Sequence, residues 1–142
     1  MPRGSNNGHA KVLIVDDHAL VREGIAQIIR QAAGLDVCAQ ADCPEKALQA
    51  VATSNPDVAV LDLTLATGSG LGLIHDLKES HPRLPLLVLS MHDESLYAER
   101  ALRAGASGYI MKQEVADQFV EAIRKVLGGG IYLSERMSAR ML

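Results

Sequence analysis

The chain has 142 residues, 48% of them hydrophobic, with a formal net charge of −3. One Phe and no Trp among them mean that a single domain of this length must build an aliphatic core. The negative balance argues against a chain that grips nucleic acid through phosphate contacts, and no apolar run is long enough to span a membrane.

Residues 1–10 are polar and rich in Gly and Asn, and read as a disordered N-terminal segment. The folded domain is expected over residues 11–128. Residues 11–15 form an apolar run, the first strand, which ends in Asp16-Asp17. Residues 20–33 have helical period. Val21, Ile25, Ile28, Ile29 and Ala32 share one face; Arg22, Gln27, Arg30 and Gln31 lie elsewhere, and Gly34 is the stop. Residues 35–40 read as a weaker second strand. Pro44 suits the first position of a second helix, whose apolar face is Ala47, Leu48, Val51 and Ala52, closed by Asn55-Pro56.

The third strand is a short, β-rich run that ends abruptly in Asp62. A loop of Gly, Ser and Thr follows over 66–70, then a third helix marked by Leu71, Ile74 and Leu77. Residues 84–89 are a fourth strand ending in Ser90. Asp93 can cap a fourth helix reaching about Ala104, with Gly105 as its stop. That helix offers mainly Leu96, Ala98, Ala101 and Leu102 inward, so it should be loosely held. Residues 107–111 are a short fifth strand ending at Lys112. A well-patterned last helix covers about 114–127 with Val115, Phe119, Ile123, Val126 and Leu127 inward. Three glycines, Gly128 to Gly130, break it. Residues 129–142 then read either as the start of a linker to an output domain absent from the sequence or as a frayed tail. Five strands alternating with helices predict a doubly wound parallel sheet with helices on both faces. Cys38 and Cys43 are spaced neither as a zinc pair nor as a redox CxxC, so two reduced thiols and a cytoplasmic protein are expected.

Ligands of open α/β sheets bind outside the carboxyl ends of the strands. Those ends carry Asp16, Asp17, Asp62, Ser90 and Lys112. Three clustered carboxylates repel one another, and the usual remedy is a hard divalent cation; Mg²⁺ fits an all-oxygen set that keeps waters. Asp17 and Asp62 are the expected direct ligands, helped by the Thr64 backbone carbonyl, with Asp16 acting through a water. The Lys112 ammonium can meet a phosphate oxygen, or Asp62 in its absence, and Ser90 can donate to the same group. Phosphoryl transfer needs positioning and charge neutralisation above all, and Asp62 is a competent carboxylate nucleophile.

With these residues in hand, the chain resembles the receiver domain of two-component response regulators over about 12–127. The matching features are the acid pair after the first strand, Asp62 after the third, Ser90 after the fourth, Lys112 after the fifth, and Gly70 in the loop after Asp62. The segment Ala104-Gly105-Ala106-Ser107-Gly108-Tyr109 and the tail Gly-Gly-Gly-Ile-Tyr-Leu-Ser resemble the NarL/LuxR type. The resemblance implies a flavodoxin-like (CheY-like) sheet of strand order 2-1-3-4-5. It implies phosphorylation of Asp62 by a sensor histidine kinase, with Mg²⁺ bound. Ser90 then moves toward the new phosphate and Tyr109 turns inward. A homodimer is a possible partner state, and DNA would be met only through a helix-turn-helix domain of a longer parent.

Ala66 stands where the family usually has Pro, which should loosen the loop 67–69. Gln113 follows Lys112 where many members have Pro, and a cis bond before a non-proline residue costs about 2.5–4 kcal/mol. Thr64 and His92 occupy positions that influence phosphate lifetime in the family. Plainer readings stay open. The acid pair can cap the first helix, Lys112 can be a surface lysine, and Tyr109 can be an ordinary strand aromatic. His18 can tune the acid site. Two other functions compete. One is an aspartyl-nucleophile phosphatase, disfavoured because Thr64 stands where its general acid would be. The other is a receiver-like interaction module that is never phosphorylated. The expected chemistry is self-directed, so the chain is not expected to be an enzyme on external substrates.

Overall fold

A computed structural model describes residues 8–62, 70–90, 95–134 and 138–139. Five parallel strands are ordered β2-β1-β3-β4-β5. They are β1 (Ala10–Val15), β2 (Leu35–Ala41), β3 (Val58–Asp62), β4 (Leu86–Ser90) and β5 (Gly108–Met111). Between and after them run α1 (Ala19–Gln31), α2 (Pro44–Ser54), α3 (Gly70–Ser80), α4 (Ser95–Ala104) and α5 (Val115–Leu127). Every residue of β3, β4 and β5 is buried, which is why these strands read as continuous apolar runs rather than alternating ones.

The sheet divides the core in two. On one side Leu13, Leu61 and Val88 pack with Leu73, Ile74 and Leu77 of α3 and with Ala98 and Ala101 of α4. On the other, Ile14, Val60 and Leu89 meet Ile25 and Ile29 of α1 and Phe119, Ile123 and Val126 of α5. Among the described side chains of α4, the fully buried ones are the methyl groups of Ala98 and Ala101; Leu96, also expected inward, lies outside the described side chains. Those two methyl groups remove little apolar area from water.

Local chemistry sets the element ends. Pro44 opens α2, and Asn55 closes it in the left-handed region at φ 49°, its amide bonded to the Val51 carbonyl at 3.1 Å. Gly105 ends the α4 turn at φ +118°, where a Cβ would come within 2.6 Å of Lys78 Cγ. No cis peptide occurs among the described residues, so the Lys112–Gln113 bond is trans.

The structure shifts several expected boundaries. Ala10, expected in the N-terminal segment, opens β1, its amide bonded to the Gly34 carbonyl at 2.8 Å. β2 extends one residue further than expected, to Ala41. β5 begins at Gly108, because the Ser107 amide donates to Leu86 before the ladder starts. A short 3-10 turn, Lys112–Glu114, precedes α5. The segment after α5 docks back on the sheet. Tyr132 bridges Gly108 in parallel, with Tyr109 N to Tyr132 O at 3.0 Å and Tyr132 N to Ser107 O at 2.9 Å. Its ring is buried beside Phe119 and Leu87, and its hydroxyl donates to Gln118 Oε1 at 2.6 Å. The chain therefore stays attached to the domain beyond residue 128. Among the described residues, no helix is long and apolar enough to cross a membrane.

Candidate functional site

The strand order places β1 and β3 side by side at the centre, with Val15 paired to Leu61. Asp16 leaves the end of β1 just as Asp62 leaves the end of β3, so two carboxylates meet at one sheet edge. Both are fully buried. β4 pairs with β3 through Asp62 and Leu89, and β5 with β4 through Ser90 and Met111. Ser90 and Lys112 thus come to the same edge, and Ser90 is fully buried there.

Lys112 unites the set. Its Nζ lies 3.2 Å from Asp16 Oδ2 and 3.5 Å from Asp62 Oδ1, with the side chain only 14% exposed. A surface lysine would not surrender its hydration in this way; this one is held by two buried anions. The reading of Lys112 as an ordinary exposed lysine does not hold.

The first turn of α1 holds the acid pair. Asp16 Oδ1 accepts the His18 amide at 2.8 Å, and His18 Nδ1 lies 3.0 Å from both Asp16 Oδ1 and Asp17 Oδ1. The N-cap of α1 is His18, whose own side chain makes no capping bond. Arg22 Nη1 donates to the Asp16 carbonyl at 2.6 Å. Helical period places Arg22 on the polar face of α1; nothing in the spacing shows that its guanidinium turns back to the acid turn.

Asp16, Asp17, His18 and Asp62 each bring a ligand atom within 4.8 Å of the others. Asp16 Oδ2 is buried and accepts no well-aligned hydrogen bond, although the Lys112 ammonium is near. Buried carboxylate oxygens that outnumber the cations around them are what a hard divalent ion neutralises. The donor set can therefore hold a metal ion.

Tyr109 lies on β5, three residues before Lys112. It is 1% exposed and already turned inward, packed in the α3/α4 half of the core. Thr64, Ala66, the loop 67–69, His92 and Asp93 lie outside the described residues.

The sequence matches the response regulator receiver domain over residues 12–124. The chain belongs to that family. As a receiver domain it is 34% identical over 137 residues to the transcriptional regulatory protein DegU of Brevibacillus brevis, covering 96% of this chain and 58% of that protein. It is 35% identical over 133 residues to the oxygen regulatory protein NreC of Staphylococcus epidermidis, covering 93% of this chain and 61% of the relative. The receiver thus spans roughly three-fifths of these relatives' length. A LuxR-family response regulator from Aurantimonas sp. SI85-9A1 superposes with a TM-score of 0.88 at 32% identity, over 92% of this chain and 94% of that one. The receiver domain of the putative response regulator NarL from Mycobacterium tuberculosis gives 0.80 at 28% identity, over 85% and 98%. The receiver is of the NarL/LuxR type, with the CheY-like strand order expected from its sequence.

Proposed function

We propose that this receiver is a phosphorylation-driven switch in which Asp62 accepts a phosphoryl group from the phosphohistidine of a sensor histidine kinase. The observation that carries the reading is the Lys112 ammonium lying between the buried carboxylates of Asp16 and Asp62. Three separate strand ends converge there on one acid side chain.

In the transfer, an Asp62 carboxylate oxygen attacks phosphorus and forms the acyl phosphate O–P bond. The P–N bond to the kinase imidazole breaks, and the leaving nitrogen keeps the electron pair. Lys112, displaced from Asp62, follows the charge to a phosphoryl oxygen, and the Ser90 hydroxyl donates to another. Asp17 and Asp62 would hold Mg²⁺ directly with the Thr64 carbonyl, and Asp16 would hold it through water; the ion supplies neutralisation of the developing phosphoryl charge. Water later hydrolyses the acyl phosphate and resets the switch, so the chemistry is confined to the protein itself. Tyr109, buried in the same half of the core as Ala98 and Ala101 of α4, makes the α4–β5–α5 surface the part whose shape responds.

The relative DegU is a transcriptional regulatory protein. By that likeness the switch works in the cytoplasm on a helix-turn-helix output domain, the only route to DNA, with a homodimer as a possible output state. Incubation with acetyl phosphate and Mg²⁺, followed by intact mass, tests the assignment. One phosphoryl adduct is expected on the native chain and none on Asp62→Asn. No adduct on the native chain would favour the unphosphorylated interaction module, and an undiminished adduct on the variant would move the acceptor elsewhere.

A further inference from the structure

Arg22 has no part in the chemistry above, yet it grips the most exacting stretch of the site. The last ladder-like bond at this end of β1 is Asp16 N to Ala41 O, at 3.0 Å. Beyond it the chain must turn through Asp17 and enter α1 at Ala19 without a neighbouring strand to hold it. Arg22 lies one turn into α1, its amide bonded to the His18 carbonyl at 3.0 Å, so its own backbone is fixed by the helix. From there the guanidinium reaches back to the Asp16 carbonyl at 2.6 Å.

That carbonyl belongs to the peptide unit joining Asp16 to Asp17. The unit is planar, so fixing its oxygen also fixes its nitrogen and the direction in which Asp17 leaves it. The carboxylate of Asp16 is fixed separately, through Oδ1 and the His18 amide at 2.8 Å. Among the described contacts, the Arg22 guanidinium is the side chain that holds the Asp16–Asp17 peptide itself. An ionised donor makes this a strong bond to a neutral carbonyl.

We infer that Arg22 is a positioning residue for the cation site, acting through the Asp16–Asp17 peptide to set the Asp17 carboxylate. The inference rests on the metal-site reading proposed above. Two effects of Arg22 oppose each other. Its positive charge repels a bound cation, whereas its grip on the turn preorganises the ligands. Removing a partner that orients metal ligands commonly costs about 10–100-fold in affinity. The Arg22 side chain is partly buried and borders an open 220 Å³ surface pocket with Gln40, Ala41, Asp42 and Lys46. Solvent there screens its charge, so positioning dominates. The same pocket gives a lysine ammonium room at this position, and one donor suffices for one carbonyl.

The test uses Mn²⁺, an oxygen-preferring octahedral ion whose free form is counted by electron paramagnetic resonance. Wild type, Arg22→Met and Arg22→Lys are titrated, and each metal-free protein is unfolded thermally to show that it is folded. The methionine variant keeps the apolar stem without a donor and should bind Mn²⁺ about tenfold more weakly, while lysine stays within about threefold of wild type. If the methionine variant fails to fold, Arg22→Gln, too short to reach the carbonyl, takes its place. Affinity unchanged or tightened without the donor would overturn the inference, as would a lysine variant as weak as the methionine one. If wild type itself takes up no Mn²⁺, the metal-site reading falls first and this inference falls with it.

Discussion

Replacing Lys112 with Met removes the cation that lies between two buried anions. At 3.2 Å from Asp16 and 3.5 Å from Asp62, each attraction is worth about 5 kcal/mol at an effective dielectric of about 20. Desolvation of the ammonium, only 14% exposed, offsets much of that sum. The variant retains a pair of fully buried carboxylates without their counter-charge. Breaking a buried pair in this way costs about 3–5 kcal/mol. For a domain of this size that lowers the thermal midpoint by about 10 °C. Urea unfolding of both proteins, in a chelator and again in excess Mg²⁺, checks the figure. In chelator the variant should lose about 3 kcal/mol or more. In Mg²⁺ both proteins gain stability by binding, but the gap between them should narrow, because the divalent cation neutralises the same oxygens. A deficit below about 1 kcal/mol in chelator would show the ion pair to be solvated rather than buried. A deficit that Mg²⁺ leaves unchanged would show that the ion does not bind at these acids.

Tyr132→Phe removes the hydroxyl bond to Gln118 and should cost about 1 kcal/mol, whereas Tyr132→Ala should cost about 3–5 kcal/mol. In the alanine variant the Tyr109 amide, whose acceptor is the Tyr132 carbonyl, should exchange hydrogen faster; unchanged exchange would show that the docked segment does not protect β5. Gly105→Ala puts a Cβ against Lys78 at φ +118°, and should destabilise by more than about 1 kcal/mol in denaturant unfolding; a neutral result would mean that the turn relaxes freely. Burial raises both the Cys38 thiol and the Tyr132 phenol above their ordinary values of 9.0 and 10.0. The folded state then holds protons that the unfolded chain has released, so stability should be full below about pH 9 and fall as pH rises above it. Tyr132→Phe should flatten the upper part of that fall, and a slope unaltered by the substitution would assign the loss to other groups.

The alternation of strands and helices and the residues of the site were legible because this architecture writes them into short local patterns, whereas the strand order came with the resemblance to receiver domains. Asp62, Ser90 and Lys112 each end an apolar run, and a parallel sheet brings all such ends to one edge. Helix ends were legible where the backbone itself dictates them, as at Pro44 and Asn55. The features that stayed hidden depend on side-chain direction or distant pairing. Arg22 falls on the solvent face of α1 by period, and several rotatable side-chain bonds separate that face from the Asp16 carbonyl. Tyr132 follows three glycines, which local chemistry reads as a break. Its return to β5 needs a glycine at 108, where a Cβ would come within 3.1 Å of the Tyr132 carbonyl. That requirement links positions 24 residues apart, and no local window contains it.

The division of labour within the domain follows from where its apolar area lies. The acids stand on β1 and β3, the central strands, whose residues next to them are fully buried on both faces. Moving those strands would disturb fully buried packing on both faces of the sheet, so the acids are held rigidly. The opposite holds at the β5 edge of the sheet. β5 has four residues, and the described side chains that the helix beside it buries are alanines. A charge placed on Asp62 acts on Lys112 and Ser90, which stand at the ends of β5 and β4 rather than at the sheet's centre. The same electrostatic change therefore leaves the acids in place and falls on the short strand at the sheet's edge and on its neighbour. If hydrogen exchange after phosphorylation slowed or quickened most in β1 and β3, and not in α4 and β5, that allocation of rigidity would be wrong.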